Sequence, residues 1–286
     1  MLKRFKNDQH KFETYFKQGR HLYKLERYDK ALNKFNKALE INPNDFETLV
    51  YCGVILGALN RYEEAIASYN QAIQIDSSNS LVWYNYANTL KKLNCFEEAL
   101  KSYDKAIELD ADYHEAWCNR GNTLNRLSRH EEALADCDKA VQINPDNFYN
   151  WYNHGLSLFS LDRYEEALVS FDKAIQIDPN YIPIYWKRAT ALSKLDRSEE
   201  AVAIYSMFIK THPNFVKERL EKINSSGNVS PQLKEILQVL SEYFESPELL
   251  PKQLLQLYEE FSSSGKIEPK VEKFFQKILK KIKEQA

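Results

Sequence analysis

Glycine, proline and β-type alternation are scarce in this sequence. Among 286 residues there are 7 Gly and 9 Pro, and polar and apolar residues interleave at helical spacing along the whole chain. Period-two strands closed by frequent Gly- or Pro-containing turns are not present. The sequence therefore predicts an all-α protein.

Long apolar runs and an excess charge of one sign are also missing. No stretch approaches the roughly 20 apolar residues needed to span a bilayer, and the first residues, MLKRFKNDQHKFETYF, lack the apolar core of a secretory signal. Lys and Arg total 39 against 41 Asp and Glu, so no overall field draws the chain to nucleic acid or to a membrane. We expect a cytoplasmic protein with no membrane insertion and no nucleic-acid partner.

Cysteine pairs and catalytic motifs are lacking as well. The cysteines Cys52, Cys95, Cys118 and Cys137 form no CxxC pair and lie in helical segments, as expected for free thiols in a reducing compartment. No G-x-S-x-G, Gly-rich phosphate loop or H-E-x-x-H occurs. His114 and Cys118 stand one helical turn apart, but no third metal ligand accompanies them. The sequence predicts neither an enzyme nor a cofactor or metal site.

The sequence does contain a 34-residue repeat, visible in six copies from Phe12. Each copy has a small residue, a leucine three positions later and a downstream alanine. The small residues are Gly19, Gly53, Ala87, Gly121, Gly155 and Ala189; the leucines are Leu22, Leu56, Leu90, Leu124, Leu158 and Leu192; the alanines are Ala31, Ala65, Ala99, Ala133, Ala167 and Ala201. A large residue follows at Phe35, Tyr69, Tyr103, Phe171 and Tyr205, with Cys137 the exception, and a second alanine at Ala38, Ala72, Ala106, Ala140 and Ala174.

This period and pattern resemble the tetratricopeptide repeat, in which each copy is a helix-turn-helix. The resemblance covers residues 12–215 and implies a right-handed α-α superhelix of six repeats, a solenoid, because one unit cannot bury its apolar face alone. Residues 1–11 are then an N-terminal lead-in and residues 216–225 a capping helix. Residues 226–286 form a small C-terminal region of three helices.

Paired carboxylates recur at the start of the second helix in repeats two to six, for example Glu63 with Glu64. A polar residue stands three positions before the first of them: Asn60 before Glu63, Asn94 before Glu97, Ser128 before Glu131, Asp162 before Glu165 and Asp196 before Glu199. This spacing predicts a capping box, in which the polar side chain is the N-cap of the second helix. The carboxylates are therefore interpreted as structural and not as an acid/base pair.

The first helix of the third repeat has two differently composed sides. Each residue of an α-helix turns about 100°, so Trp83, Ala87 and Leu90 form one apolar stripe, which is the predicted packing face. Asn85 lies about 200° from Trp83 and Asn88 about 140° from it. Both amides therefore belong to the opposite side, which in the tetratricopeptide family lines the concave groove.

Asn85 recurs at 34-residue intervals as Asn119 and Asn153, and we call these three residues the asparagine ladder. A side-chain amide offers a donor and an acceptor, which match the backbone of an extended peptide. The ladder resembles that of superhelices such as the one attached to protein O-linked N-acetylglucosamine transferase, and this resemblance implies a protein or extended peptide as the partner. The simpler alternative is that Asn is only tolerated on a solvated helix, although Ala, Glu or Lys would form helix better.

Other side chains share the predicted groove with the ladder. They are Asn88, Asn122, Tyr84, Tyr152, Trp186, Lys187, Arg126 and Lys91. The aromatic residues either contact a peptide or pack between neighbouring first helices. The basic residues favour an acidic partner, unless they only keep the surface solvated. Repeats one and two have mainly apolar residues at these positions, namely Phe16, Lys17, Val50 and Val54.

The C-terminal region predicts three helices, introduced by Pro231, Pro247 and Pro269, each with one apolar face. The preferred hypothesis is an adaptor that holds an extended partner segment, with these helices as a docking module. The main alternative is a scaffold that forms a homodimer through the same helices. A weaker alternative is a ligand-responsive regulator, because the last helix is rich in lysine and would then contact DNA.

Overall fold

The computed structural model describes residues 2–197 and, beyond them, residues 200, 201, 203, 204, 207 and 211. Within this part the chain forms eleven α-helices and no strand, which confirms the all-α class. The helices are α1 (Leu2–Lys24), α2 (Tyr28–Leu39), α3 (Phe46–Ala58), α4 (Tyr62–Ile75), α5 (Ser80–Lys92), α6 (Phe96–Leu109), α7 (His114–Arg126), α8 (His130–Ile143), α9 (Phe148–Ser160), α10 (Tyr164–Ile177) and α11 (Ile182–Lys194). The predicted capping helix (216–225) and C-terminal region (226–286) lie outside the described residues.

The chain divides into two compact units, residues 1–163 and 164–286. In the first unit, α1 to α8 each pack against the next helix in sequence. The first helices of successive repeats, α3, α5, α7 and α9, also contact one another in that order. In the second unit α10 packs against α11. The helical hairpin expected from the 34-residue period is therefore the building block of the fold.

The repeated small and large residues form the core of each hairpin. The repeated alanines of the described repeats are almost completely buried, as are Phe35, Tyr69, Tyr103, Cys137 and Phe171. A Cβ atom built on Gly19 would lie 2.8 Å from the Phe35 ring, too close for the ring to keep its position. The small residue of the first helix thus makes room for the large residue of the second.

The turn inside each hairpin corrects one sequence prediction. Asn60, Asn94, Ser128, Asp162 and Asp196 are not N-caps, because they have positive φ angles of 58° to 60°. The second helices α4, α6 and α8 begin after Arg61, Cys95 and Arg129, none of which makes a side-chain cap hydrogen bond. The capping-box prediction is therefore wrong.

These left-handed residues end the first helix in a Schellman motif. In the second repeat the N–H of Arg61 donates to the carbonyl of Leu56 (2.8 Å) and the N–H of Asn60 to that of Gly57 (3.1 Å), the two bonds that define the motif. Asn and Asp tolerate this conformation better than most residues. The same polar residue types suit an N-cap, and the sequence pattern did not separate the two roles.

The start of several first helices is fixed by residues that the sequence prediction missed. Asp45 caps α3 by accepting from the N–H of Thr48 (2.9 Å), and Asn79 and Asn147 cap α5 and α9 in the same manner. The Nε1–H of Trp83 donates to the carbonyl of Ser77 (2.9 Å), a bond that recurs at Trp117 and Trp151. These bonds hold the loop between repeats against the next first helix.

Charged side chains on first helices pair with the second helix of the same repeat and with that of the preceding repeat. Arg120 on α7 donates two hydrogen bonds to Asp136 on α8 (2.6 and 2.8 Å) and one to Asp104 on α6 (2.5 Å). Its guanidinium also lies over the Trp117 ring, 4.6 Å from the ring centre. His154 and Asp138 form the equivalent contact one repeat later (2.9 Å). Arg120 therefore ties three helices together.

Candidate functional site

Polar side chains on the first helices bond across the boundary between repeats three and four. The Nδ2 of Asn119 on α7 donates to the Tyr84 hydroxyl on α5 (2.9 Å), and the Lys91 ammonium donates to the Asn119 Oδ1 (3.0 Å). Both ends of the Asn119 amide therefore have partners on α5. This rung of the ladder therefore connects α7 to α5.

Asn153 makes a similar connection between repeats four and five. Its Oδ1 accepts from the Nδ2 of Asn122 (3.0 Å), and its own Nδ2 donates to the Cys118 sulfur (3.2 Å) and the Tyr149 carbonyl (3.0 Å). Only 7% of Asn153 is exposed. The third rung is consequently a buried structural amide with its donor and its acceptor both engaged inside the protein.

Asn85 differs from the other two rungs. It is half-buried on α5, and its side chain makes no hydrogen bond with any residue in the part of the chain that the structure describes. Its backbone carbonyl accepts from the Thr89 hydroxyl (2.9 Å), which engages the main chain only. Of the three rungs, Asn85 is the one whose amide is not engaged by another side chain or by the backbone in this part of the protein.

Asn88 has a role inside the third repeat. Its Oδ1 accepts a hydrogen bond from the hydroxyl of Tyr103 (2.5 Å), a completely buried residue of α6. Asn88 thus satisfies the polar end of a core tyrosine and binds the two helices of one hairpin together. Asn88 differs in this respect from Asn119 and Asn153, whose side chains bond between repeats.

Tyr84 on α5 packs against two tyrosines, Tyr103 on the second helix α6 and Tyr113 at the N-cap of the first helix α7. Its ring lies 4.8 Å from that of Tyr113 and 6.2 Å from that of Tyr103. Burial raises the pKa of Tyr84, so its hydroxyl stays protonated at neutral pH. The hydroxyl serves as the acceptor for Asn119, and the ring as part of the interface between α5 and α7.

Lys91 is a half-buried cation in the last turn of α5. Burial lowers the pKa of Lys91 to about 8, and the positive charges of Arg126 and Lys92 act in the same direction, whereas Cys118 opposes them. No Asp or Glu in the described part of the chain forms an ion pair with it. Its one hydrogen-bond partner among the described residues is the neutral Asn119 amide.

The other predicted groove residues have varied surroundings. Arg126 is exposed, and its guanidinium lies 5.7 Å from the centre of the Phe96 ring. Tyr152 is half-buried on α9 of the first unit. Trp186 and Lys187 are half-buried on α11 and belong to the second unit. Tyr152, Trp186 and Lys187 each interact with other residues.

A second polar connection between α7 and α9 was missed by the sequence analysis. The Nδ2 of Asn125 donates to the Ser157 hydroxyl (2.8 Å), and the Asn125 Oδ1 contacts the Nδ1 of His130 (3.0 Å). Ser157 is completely buried. A serine in the middle of a helix gives no periodic signal, so only the position of the neighbouring helix reveals its partner.

His114 and Cys118 are engaged with amides. The two ring nitrogens of His114 lie 2.9 and 3.3 Å from the side-chain nitrogens of Asn144 and Asn150. Burial raises the pKa of the Cys118 thiol to about 11. In the described region no three His, Cys, Asp or Glu side chains converge as metal ligands.

None of the helices in the described region is long and apolar enough to cross a membrane.

The helical hairpins with their periodic cores define a repeat solenoid, and family comparison identifies the repeat. Descriptions of the tetratricopeptide repeat match residues 12–45, 114–147 and 184–214, and a description of the TPR repeat matches residues 53–94, 87–128 and 155–196. The chain therefore belongs to the tetratricopeptide repeat family and is a protein-interaction module. No curated protein sequence matches it significantly.

Solved structures share the fold. YrrB, described as a TPR protein with an unusual peptide-binding site, is 25% identical with a TM-score of 0.51, and the match covers 59% of this chain and 88% of YrrB. The Pseudomonas aeruginosa pilF protein is 18% identical with a TM-score of 0.63, covering 72% of this chain and 94% of its own. MamA from Desulfovibrio magneticus RS-1 is 16% identical with a TM-score of 0.55, covering 59% and 96%.

Proposed function

We propose that the protein is a non-enzymatic adaptor whose first helices hold an extended segment of a partner protein. The observation that carries this proposal is the amide of Asn85, which has no side-chain hydrogen bond among the described residues. A half-buried amide without a partner gains one when a peptide backbone lies beside it, because the backbone offers both a donor and an acceptor.

The three rungs contribute unequally to this function. Asn85 binds the peptide main chain directly. Asn119 joins it by accepting a peptide N–H at the second lone pair of its Oδ1, beside the bond from the Lys91 ammonium. Asn153 is 7% exposed and remains bonded to Asn122 and Cys118, so it keeps α7 and α9 in place. The peptide is thus expected to lie over repeats three and four.

Two comparisons support a peptide-binding function. The tetratricopeptide repeat family consists of protein-interaction modules, and YrrB is described as having a peptide-binding site. A net hydrogen bond contributes about 1 kcal/mol, so two amides alone do not offset the ordering of a flexible peptide. We therefore expect micromolar affinity, roughly −8 kcal/mol, for a short peptide that adds side-chain contacts.

The proposal is tested by selecting peptide ligands from a random displayed library and titrating the best of them by calorimetry. Asn85→Ala is expected to weaken binding about fivefold to tenfold, as the loss of one hydrogen bond implies. Asn70→Ala is the matched control, since Asn70 is an exposed asparagine on the second helix α4. Unchanged affinity of the Asn85→Ala, Asn119→Ala double variant would contradict the proposal.

A further inference from the structure

We propose that Lys91 is the binding site for one carboxylate side chain, that of an Asp or Glu within the partner's extended segment. This inference rests on the proposed peptide-binding function and adds a chemical preference to it. The asparagine ladder recognises main chain and is therefore tolerant of sequence. A lysine beside it gives the groove a residue that distinguishes one peptide from another.

The hydrogen bonding of Lys91 leaves room for a ligand. A lysine ammonium has three N–H donors, and one of them bonds to the Oδ1 of Asn119 at 3.0 Å. No other partner of the ammonium occurs among the described residues. The half-buried ammonium thus has two donors for a carboxylate.

The charges around Lys91 favour an anion. Arg126 on α7 and Lys92 on α5 both add positive potential at Lys91, and the third ionisable neighbour, Cys118, has a thiol whose pKa burial raises to about 11. Cys118 is therefore neutral at pH 7, and Lys91 has no ion-pair partner in the described region. A partly desolvated cation without a counter-ion is unfavourable. A ligand carboxylate would supply the missing negative charge through a charge-assisted hydrogen bond.

The location of Lys91 favours an internal residue of the peptide over its C-terminus. Lys91 lies at the boundary between repeats three and four, and first helices continue on both sides, as α3 before α5 and as α9 after α7. A peptide that contacts Asn85 and Asn119 can extend in both directions past this point. The carboxylate that reaches Lys91 is then a side chain.

This site makes binding dependent on pH. The carboxylate pairs with the protonated ammonium, and the pKa of Lys91 in the free protein is about 8. Affinity is consequently greatest below pH 8 and is lost as pH rises through that value. By linkage the bound carboxylate raises the pKa of Lys91.

The test follows the Lys91 side-chain resonances by NMR in protein with ¹³C,¹⁵N-labelled lysine. The probes are sodium acetate, titrated against sodium chloride at constant ionic strength, and the peptide acetyl-Ala-Ala-Glu-Ala-Ala-amide. Both are expected to shift the titration midpoint of Lys91 upward and to leave that of exposed Lys92 unchanged. Two further peptides replace Glu by Gln, one with an amidated and one with a free C-terminus.

Calorimetry with the same peptides measures the preference. Glu is expected to bind about tenfold more tightly than Gln in the amidated peptide, as one charge-assisted hydrogen bond implies. Lys91→Gln, which can still donate to Asn119, should abolish this difference, and Lys92→Gln should retain it. A Gln peptide with a free C-terminus that binds as tightly as the Glu peptide would overturn the assignment to a side chain.

The remaining outcomes separate this inference from the proposed function. Equal binding of the amidated Glu and Gln peptides, with Lys91 unmoved, would overturn the carboxylate site and leave the peptide groove intact. A Lys91 shift with acetate but no binding of any peptide would support the carboxylate site and contradict the peptide groove. No shift with either acetate or the Glu peptide would overturn the carboxylate site.

Discussion

Neighbouring first helices are joined by aromatic rings in repeats one and two and by hydrogen bonds in repeats three to five. The Tyr51 ring of α3 stacks 5.1 Å from that of Phe35 and meets the Phe16 and Tyr23 rings of α1 at 6.0 and 5.5 Å. In the later repeats the joining groups are amides, hydroxyls and an ammonium, as described for Asn119 and Asn153. The same hairpin therefore tolerates two kinds of interface.

The two kinds of interface differ in what they can offer a ligand. Ring packing is driven mainly by the burial of apolar surface, and the packed ring faces offer a ligand no strong hydrogen-bond donor or acceptor. Hydrogen bonds fix the orientation of each amide, and an amide without a partner, such as Asn85, can bind a peptide. Under the proposed function, recognition belongs to repeats three and four, and the aromatic cluster of repeats one and two has a supporting role.

The largest expected loss of unfolding free energy follows from a substitution in the aromatic cluster of repeats one and two. Phe35→Ala removes a completely buried ring that stacks on Tyr51, and such a truncation costs about 3–5 kcal/mol of unfolding free energy. Contacts in repeat arrays are mainly between neighbours, so amide hydrogen exchange should accelerate in repeats one and two. Urea denaturation and exchange mass spectrometry measure both effects. Equal acceleration in repeats three and four would show that the two regions unfold together.

A slightly smaller loss is expected when the ion pair of the polar region is broken. Arg120→Leu leaves the Asp136 carboxylate, whose side chain is 6% exposed, without its bidentate partner. Removing one member of a buried pair costs about 3 kcal/mol. Burial already raises the pKa of Asp136 in the native protein.

The loss of the guanidinium raises the pKa of Asp136 further, so this carboxyl binds a proton more readily in the folded than in the unfolded state. The destabilisation by Arg120→Leu should consequently decrease as pH falls from 7 to 5. Thermal denaturation at both pH values tests this, with the exposed Arg61→Gln as a control that should change little. If Arg120→Leu destabilises the protein equally at both pH values, the assigned role of Asp136 is contradicted.

A moderate loss of unfolding free energy is expected for one rung of the asparagine ladder and not for another. Asn153→Ala breaks the bonds to Asn122 and Cys118 in a buried setting and is expected to cost about 1–2 kcal/mol. Asn85→Ala removes no internal side-chain bond among the described residues, so its unfolding free energy should stay within error of the wild type. Urea denaturation of the two variants side by side decides the matter. Equal losses would mean that both asparagines are structural.

The smallest expected effect is a gain in unfolding free energy when Lys91 is replaced by a neutral residue. Its depressed pKa means that between pH 8 and its ordinary value of 10.5 the unfolded chain binds a proton that the folded chain does not. Native stability therefore rises with pH across this interval, and below pH 8 the buried charge is fully unfavourable. Lys91→Gln should add on the order of 1 kcal/mol at pH 7, and this gain should disappear near pH 10.5.

Chemical denaturation of Lys91→Gln across this pH range measures the effect. The exposed Lys92→Gln serves as its matched control and should show no comparable pH dependence. A Lys91→Gln variant that is less stable than wild type at pH 7 would mean that the ammonium stabilises α5 against α7 through Asn119.

The fold was largely predictable because periodicity reports burial. Ala31, Ala65 and Phe35 repeat at 34-residue intervals with their equivalents, and each is completely buried, or nearly so, in the structure. The turn chemistry was not predictable in the same manner. Asn60 suits both an N-cap and a left-handed C-terminal residue, and its φ of 60° assigns it to the second.

The sequence by itself determined the repeat, the helical hairpin and the 34-residue interval that relates Asn85, Asn119 and Asn153, because small and large residues recur at that period. Only the tertiary structure decided which of these amides is engaged. The partners of Asn119 are Lys91 and Tyr84, 28 and 35 positions away in sequence. Such bonds depend on the orientation of two side chains across neighbouring helices, and a one-dimensional pattern does not contain that orientation.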